Sequence, residues 1–153
     1  MASMDDVTLT PPAPDAEAAI RAVGLRVTTP RRAVYTALAT MPHARADEVF
    51  DRVRDTVPGT SLQAVYNVLG DFVEAGLARR IEPSGQPGLF ELRVGDNHHH
   101  VVCTSCGRVD DIDCVQGAAP CLHPAHETGF RIQVAEVTFW GVCPDCDASS
   151  GDS

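Results

Sequence analysis

The sequence predicts an α+β chain in two parts: four helices closed by a hairpin, then a small α/β unit rich in metal-ligating side chains. Three observations predict it. Apolar residues recur at helical spacing from Asp15 to Val73, with capping residues where each run starts and glycines or prolines where it stops. A turn-forming stretch, Pro83-Ser84-Gly85-Gln86-Pro87-Gly88, separates two strand-like runs. After Gly95 the texture changes to His, Cys, Asp and short β-like runs, which places a hinge near Arg93–Asp96.

Residues 1–14, with Pro11, Pro12 and Pro14, read as a flexible tail. A first helix starts at Asp15, carries Ala19, Ile20 and Val23, and stops at Gly24. Thr28 or Thr29 caps a second, with Pro30 in its first turn and Ala33, Val34, Ala37 and Leu38 on one face; Pro42 closes it. A third covers 45–56 and ends before Pro58-Gly59, and Ser61 caps a fourth, 61–75, that stops at Gly76. Strands at 77–82 and 88–93 complete the first part. Helices followed by a hairpin are the order of a winged helix-turn-helix, in which 61–75 would enter a DNA major groove. An unliganded helical core has the same pattern, because fold does not fix function. The boundaries are therefore 15–93 for the winged-helix domain, 97–147 for the second domain, and 148–153 for a flexible C-terminal tail. In the second domain His100–Cys103, Arg108–Ile112 and Arg131–Trp140 read as strands. The alternation of Ile132, Val134, Val137 and Phe139 favours pairing with a second chain if that edge is open.

Net charge is −9, but it is unevenly spread. Residues 20–80 hold nine arginines against six acids, and residues 81–153 hold three against eleven. A mildly basic first half suits phosphates and an acidic second half suits cations. No lysine occurs anywhere. No apolar run is long enough to span a membrane, and the acidic N-terminus does not resemble a secretory signal, so a cytoplasmic location is expected. Disulfides rarely persist there, so the six cysteines read first as metal ligands or redox sensors.

Cys103-Thr-Ser-Cys106 and Cys143-Pro-Asp-Cys146 supply the four thiolates of a closed, structural zinc site. Two redox-active pairs are the other reading of the same spacing. In His98-His99-His100, a strand puts His98 and His100 on one face and His99 on the other. With Glu91 and Asp111 near in sequence, they make an N/O ligand set suited to iron, manganese or zinc, although such a cluster also suits a solvated turn. Cys114, Cys121, His123 and His126 form a third group, readable as a peroxide-sensitive pair, a further metal site or buried small side chains.

Taken in order, Gly24-Leu-Arg-Val-Thr-Thr-Pro-Arg-Arg, Thr60-Ser-Leu-Gln-Ala-Val-Tyr-Asn-Val-Leu, Ala75-Gly-Leu, His98-His-His-Val-Val-Cys-Thr-Ser-Cys-Gly and Trp140-Gly-Val-Cys-Pro-Asp-Cys resemble the Fur family of metal-dependent repressors. The resemblance covers nearly the whole chain after residue 15. The Cys114–Cys121 segment and Ala135-Glu-Val-Thr-Phe-Trp are similar to the actinobacterial FurA/CatR branch, peroxide-responsive repressors of catalase-peroxidase genes. The resemblance implies a homodimer on palindromic double-stranded DNA, with structural Zn(2+) at the four cysteines. It implies regulatory Fe(2+) or Mn(2+) at His43, Glu91, His98, His100 and Asp111. Ser61, Gln63, Tyr66 and Asn67 would face DNA, with Tyr66 in the place of a base-contacting tyrosine and Asn67 where many members carry Arg. Asp111 follows the peroxide-sensing members and Glu91 the iron-sensing ones. Ala135 stands where some members have a histidine of a further metal site, which is therefore expected to be absent or rebuilt.

Arg26, Arg31 and Arg32 are candidate phosphate contacts, or else a solvated helix face. An enzyme is not expected, because no nucleophile motif or phosphate-binding loop is visible. Within the family, an iron- or other metal-uptake regulator is the rival to a peroxide sensor. Outside it, the rival is a zinc-binding redox adaptor that does not bind DNA.

Overall fold

The computed structural model describes residues 15–92, 98–113, 129–131 and 137–151. The group Cys114, Cys121, His123 and His126, the expected hinge, the N-terminal tail and Ala135 lie outside the described residues.

Four helices form as local chemistry directs. Helix α1 spans Ala16–Ala22, and the Asp15 carboxylate accepts from the Glu17 backbone N–H at 3.2 Å. Gly24 follows with φ +80°, a left-handed conformation that a side chain would resist. Helix α2 spans Thr29–Thr40, and the Thr28 hydroxyl accepts from Arg31 N–H at 3.3 Å. Helix α3 spans Ala46–Val53, with Glu48 accepting from the Arg45 N–H at 2.8 Å. It stops three residues short of the expected end, where the Thr56 amide turns back onto the Val53 carbonyl in a tighter i to i−3 turn. Helix α4 spans Leu62–Glu74, with Ser61 Oγ accepting from Ala64 N–H at 3.1 Å. Each such cap satisfies an amide that the helix leaves unpaired and contributes about 1 kcal/mol.

The apolar stripes of these helices meet in one core. Ile20, Val34, Leu38, Val49, Val53, Val65, Leu69 and Phe72 are almost wholly buried, and Tyr35 meets Phe72 edge-on with ring centroids 6.5 Å apart. Strands β1 (Arg79–Ile81) and β2 (Leu89–Glu91) form the antiparallel hairpin, shorter than expected because pairing runs only from Arg79↔Glu91 to Ile81↔Leu89. One contact ties the loop after α2 to that hairpin: Ala44 N–H donates to the Phe90 carbonyl at 3.1 Å, and Phe90 N–H returns to Ala44 at 2.8 Å.

The second part is a three-stranded sheet in the order β4-β3-β5, with β3 at His98–Cys103, β4 at Val109–Asp113 and β5 at Thr138–Gly141. Strands β3 and β4 are antiparallel, whereas β3 and β5 are parallel. A short helix, α5 (Pro144–Ser150), follows β5 and takes in residues 148–150, which the sequence suggested were tail. Strand β5 lies at the sheet edge, where Phe139 and Trp140 are 41% and 47% exposed. Among the described residues no helix is long and apolar enough to cross a membrane.

Candidate metal centres

The parallel pairing of β3 with β5 makes the four-cysteine cluster. Two parallel strands end at the same edge of a sheet, so Cys103 pairs with Gly141 and the two C-x2-C turns leave side by side. Thr104 fastens them, its amide and hydroxyl both donating to the Gly141 carbonyl at 2.8 and 3.2 Å. The Sγ atoms of Cys103, Cys106, Cys143 and Cys146 all lie within 4.8 Å of one another, and Cys106 and Cys143 approach to 3.8 Å. Backbone N–H groups of Cys106 and Cys143 donate to the Cys103 sulfur at 3.5 and 3.4 Å, which pulls that thiol down to about 6. Among the same four, a hydrogen bond with Ser105 favours the Cys146 thiolate, but hydrogen bonds to Cys143 and Cys106 hold it as a thiol and push it up to about 12. Four convergent sulfurs, one favoured as thiolate and one resisting ionisation, form a donor set that a divalent cation satisfies. The cluster fits a structural zinc site.

The histidine–carboxylate cluster draws on both parts of the chain. The Ala44–Phe90 bridge sets the preceding His43 and the following Glu91 beside each other. Among the described residues, His43 is the non-glycine residue with a positive φ, +62°. On the sheet, His100 stands opposite Asp111 in the β3–β4 register, and His98 shares its face two residues away. His99 points to the other face and packs edge-on to Phe139 at 6.2 Å.

One ligand atom each from His43, Glu91, His100 and Asp111 falls within a mutual 4.8 Å. His43 Nε2 lies 2.7 Å from Asp111 Oδ1 and 3.2 Å from Glu91 Oε2. His100 Nε2 lies 3.1 Å from Glu91 Oε1 and 3.4 Å from Asp111 Oδ1. His98 stands outside that set of four, with its Nε2 3.2 Å from Glu91 Oε1 and 3.7 Å from Asp111 Oδ1. The Glu91 side chain is 2% exposed and that of Asp111, the most open, 23%.

Burial opposes ionisation of Glu91, but hydrogen bonds from His43 and His100 win and hold its carboxyl down at about 2. Burial likewise opposes a charged His43, yet hydrogen bonding to Glu91 and Asp111 raises it above the ordinary imidazole value. Three Nε2 atoms and two carboxylates converging in a buried pocket are a donor set that iron, manganese or zinc fits.

The expected DNA-facing residues lie on or beside α4. Tyr66 is 48% exposed, and Gln63 Nε2 donates to Asn67 Oδ1 at 3.0 Å one turn away. Ser61 spends its hydroxyl on the cap. Two of the three arginines expected at phosphates are engaged within the fold. Arg31 donates to Asp71 on α4 and to the Arg26 carbonyl, both at 2.8 Å, and Arg32 donates to Glu17 on α1 at 2.9 Å. Arg31 is therefore better described as a strut between α2 and α4. Asp71 is the residue that sequence reasoning missed; its i, i+4, i+8 alignment with Gln63 and Asn67 was the available signal.

Comparison with known proteins agrees with this architecture. The ferric uptake regulator family model matches residues 22–140. The transcriptional regulator FurA of Mycobacterium tuberculosis is 50% identical over 136 residues, covering 89% of this chain and 92% of its own. The peroxide operon regulator of Bacillus subtilis is 30% identical over 133 residues, covering 83% and 88%. A solved structure, the ferric uptake regulator of Pseudomonas aeruginosa with manganese, has a TM-score of 0.62 at 26% identity and covers 84% of this chain and 98% of that one. With a matched fold, a fitting four-cysteine cluster and relatives of this identity, the chain belongs to the ferric uptake regulator family.

Proposed function

We propose that this chain is a homodimeric, metal-dependent transcriptional repressor that binds palindromic promoter DNA and is released by peroxide, with a catalase-peroxidase gene as its target. The observation that carries the reading is the convergence of His43 and Glu91, from the helical part, with His100 and Asp111 from the sheet. A site shared between two parts of a chain binds its ion better when they are closed together, so occupancy shifts the population toward the closed form. Moving a hinge from 1:99 to 99:1 takes a differential affinity of about 10⁴, or roughly 5.5 kcal/mol. Loss of one ligand is expected to undo that differential.

In the closed dimer, two α4 helices would reach major-groove half-sites about 34–36 Å apart. Tyr66, Gln63 and Asn67 would face base edges, with Arg26 among the phosphate contacts. Iron(II) held by the histidine–carboxylate residues would catalyse peroxide cleavage without net change, the imidazole ring being the two-electron reductant. Either His43 or His98 would take up one oxygen atom of peroxide on its ring while the other oxygen leaves as water, and the altered imidazole would no longer ligate. Support comes from Asp111, which follows the peroxide-sensing pattern, and from likeness to FurA and to a peroxide operon regulator. The exposed Phe139 and Trp140 on the β5 edge suit a dimer interface.

An iron- or other metal-uptake regulator is the second reading, favoured by Glu91 and by the manganese-bound ferric uptake regulator among similar structures. One titration separates the two. Zinc-loaded protein is added to a fluorescent palindromic promoter fragment with Mn(II), with Fe(II), and with Fe(II) followed by peroxide. Binding that needs the second metal and is lost to peroxide only in the iron form, with added oxygen on His43 or His98 by mass spectrometry, supports the peroxide sensor. Metal-dependent binding that survives peroxide supports the uptake regulator. Failure to bind DNA under every condition leaves a zinc-binding redox adaptor.

A further inference from the structure

Gln63, Asn67 and Asp71 lie four residues apart on α4 and so share one stripe of the helix. Gln63 and Asn67 are exposed and hydrogen-bonded to each other. An acid on the same stripe is out of place on a surface meant for a polyanion. The structure shows what it does there: Asp71 Oδ2 accepts from Arg31 at 2.8 Å, and the other arm of that guanidinium is held at 2.8 Å by the Arg26 carbonyl. The Arg31 side chain is only 20% exposed, so it is folded onto the helix instead of extended into solvent.

We infer that Asp71 is a specificity-determining residue, which holds the Arg31 guanidinium on α4 and off the phosphate backbone. This rests on the DNA-binding reading above. Phosphate contacts strengthen binding to every sequence alike, while base-edge contacts discriminate. An arginine tied to a carboxylate beside the reading stripe keeps its packing role between α2 and α4 while contributing no sequence-independent attraction. This widens the gap between operator and bulk DNA.

The test measures affinity against salt, between about 50 and 200 mM, for a promoter fragment and a scrambled duplex of equal length, using zinc- and manganese-loaded dimer. Asp71→Asn is expected to steepen the salt dependence by about one unit of log–log slope. It should raise affinity for the scrambled duplex by up to about eightfold near 0.1 M salt, following from a slope of about −0.9 per phosphate. The ratio of promoter to scrambled affinity should narrow. Arg31→Gln alone should leave the slope where it was, and Arg31→Gln with Asp71→Asn should return it to the parent value. A fall in affinity for both duplexes at constant slope in Asp71→Asn overturns the inference and makes the pair a structural strut. A shallower slope in Arg31→Gln overturns it too, because Arg31 would already touch a phosphate. A steep slope that persists in the double variant assigns the effect to the Asp71 charge alone and removes Arg31 from the account. Parent protein that binds neither duplex defeats the DNA-binding reading itself, a result distinct from all of these.

Discussion

His43 Nε2 and Asp111 Oδ1 stand 2.7 Å apart although 68 residues separate them in sequence, one in the loop after α2 and the other on β4. The contact is made possible on one side by the Ala44–Phe90 bridge and on the other by the His100↔Asp111 register. It joins the helical part to the sheet through groups that a cation can hold and a proton can displace.

His43→Ala removes one of the two ligands from the helical part and leaves Glu91 with His98, His100 and Asp111 of the sheet. Outer partners of metal ligands typically cost 10- to 100-fold in affinity, so a direct ligand should cost at least about tenfold. Manganese affinity by calorimetry should fall by that much, and DNA binding should lose its response to manganese while zinc content stays at parent level.

Asp111→Ala tests the sheet side. It should match His43→Ala in manganese affinity, and the double variant should lose little more than either alone, because both ligands serve one site. Independent, additive losses would separate the two residues.

Metal-free protein should show a stability window set by this cluster. Glu91 is lowered from 4.5 to about 2, so its contribution is complete above about 4.5 and is lost as pH falls toward 2. His43 is raised above 6.5, so its contribution is complete below 6.5 and is lost as pH climbs through the raised value. Metal-free protein is therefore expected to gain most from the pair between 4.5 and 6.5. Manganese reverses the upper limit, since it needs unprotonated imidazole and should stabilise more as pH rises. Denaturant midpoints across pH, with and without manganese, check both slopes.

Zinc loading of chelator-stripped protein should release protons at neutral pH, because Cys146 is held up at about 12 until a cation takes its thiolate. A lightly buffered indicator dye reads this directly. Cys146→Ser should lose the zinc and most of the fold of the small sheet, whereas α1–α4 should keep their helical signal.

Thr28→Ala and Leu69→Ala separate local from tertiary support of the helices. Loss of the Thr28 cap should cost about 1 kcal/mol. Truncating Leu69, which is fully buried, should cost about 2–5 kcal/mol in urea unfolding.

By itself the sequence determined the local structure and the ligand chemistry. Asp15, Thr28 and Ser61 start helices because a short polar side chain satisfies amides that the first turn leaves open, and the residues that do this are neighbours in the chain. The paired C-x2-C turns announced their metal because four thiolates need no wider context, and alternation alone put His98 and His100 on one face. What the residues alone could not supply was who meets whom across long separations. His43, an unremarkable loop histidine, gained its place in the reading only through resemblance to a family, and gained partners only in the folded chain. The Ala44–Phe90 bridge, the parallel β3–β5 pairing that brings the cysteine turns together, and the Arg31–Asp71 strut are likewise tertiary. Backbone pairing and surface ion pairs depend on packing between elements, and no periodicity within one element encodes them.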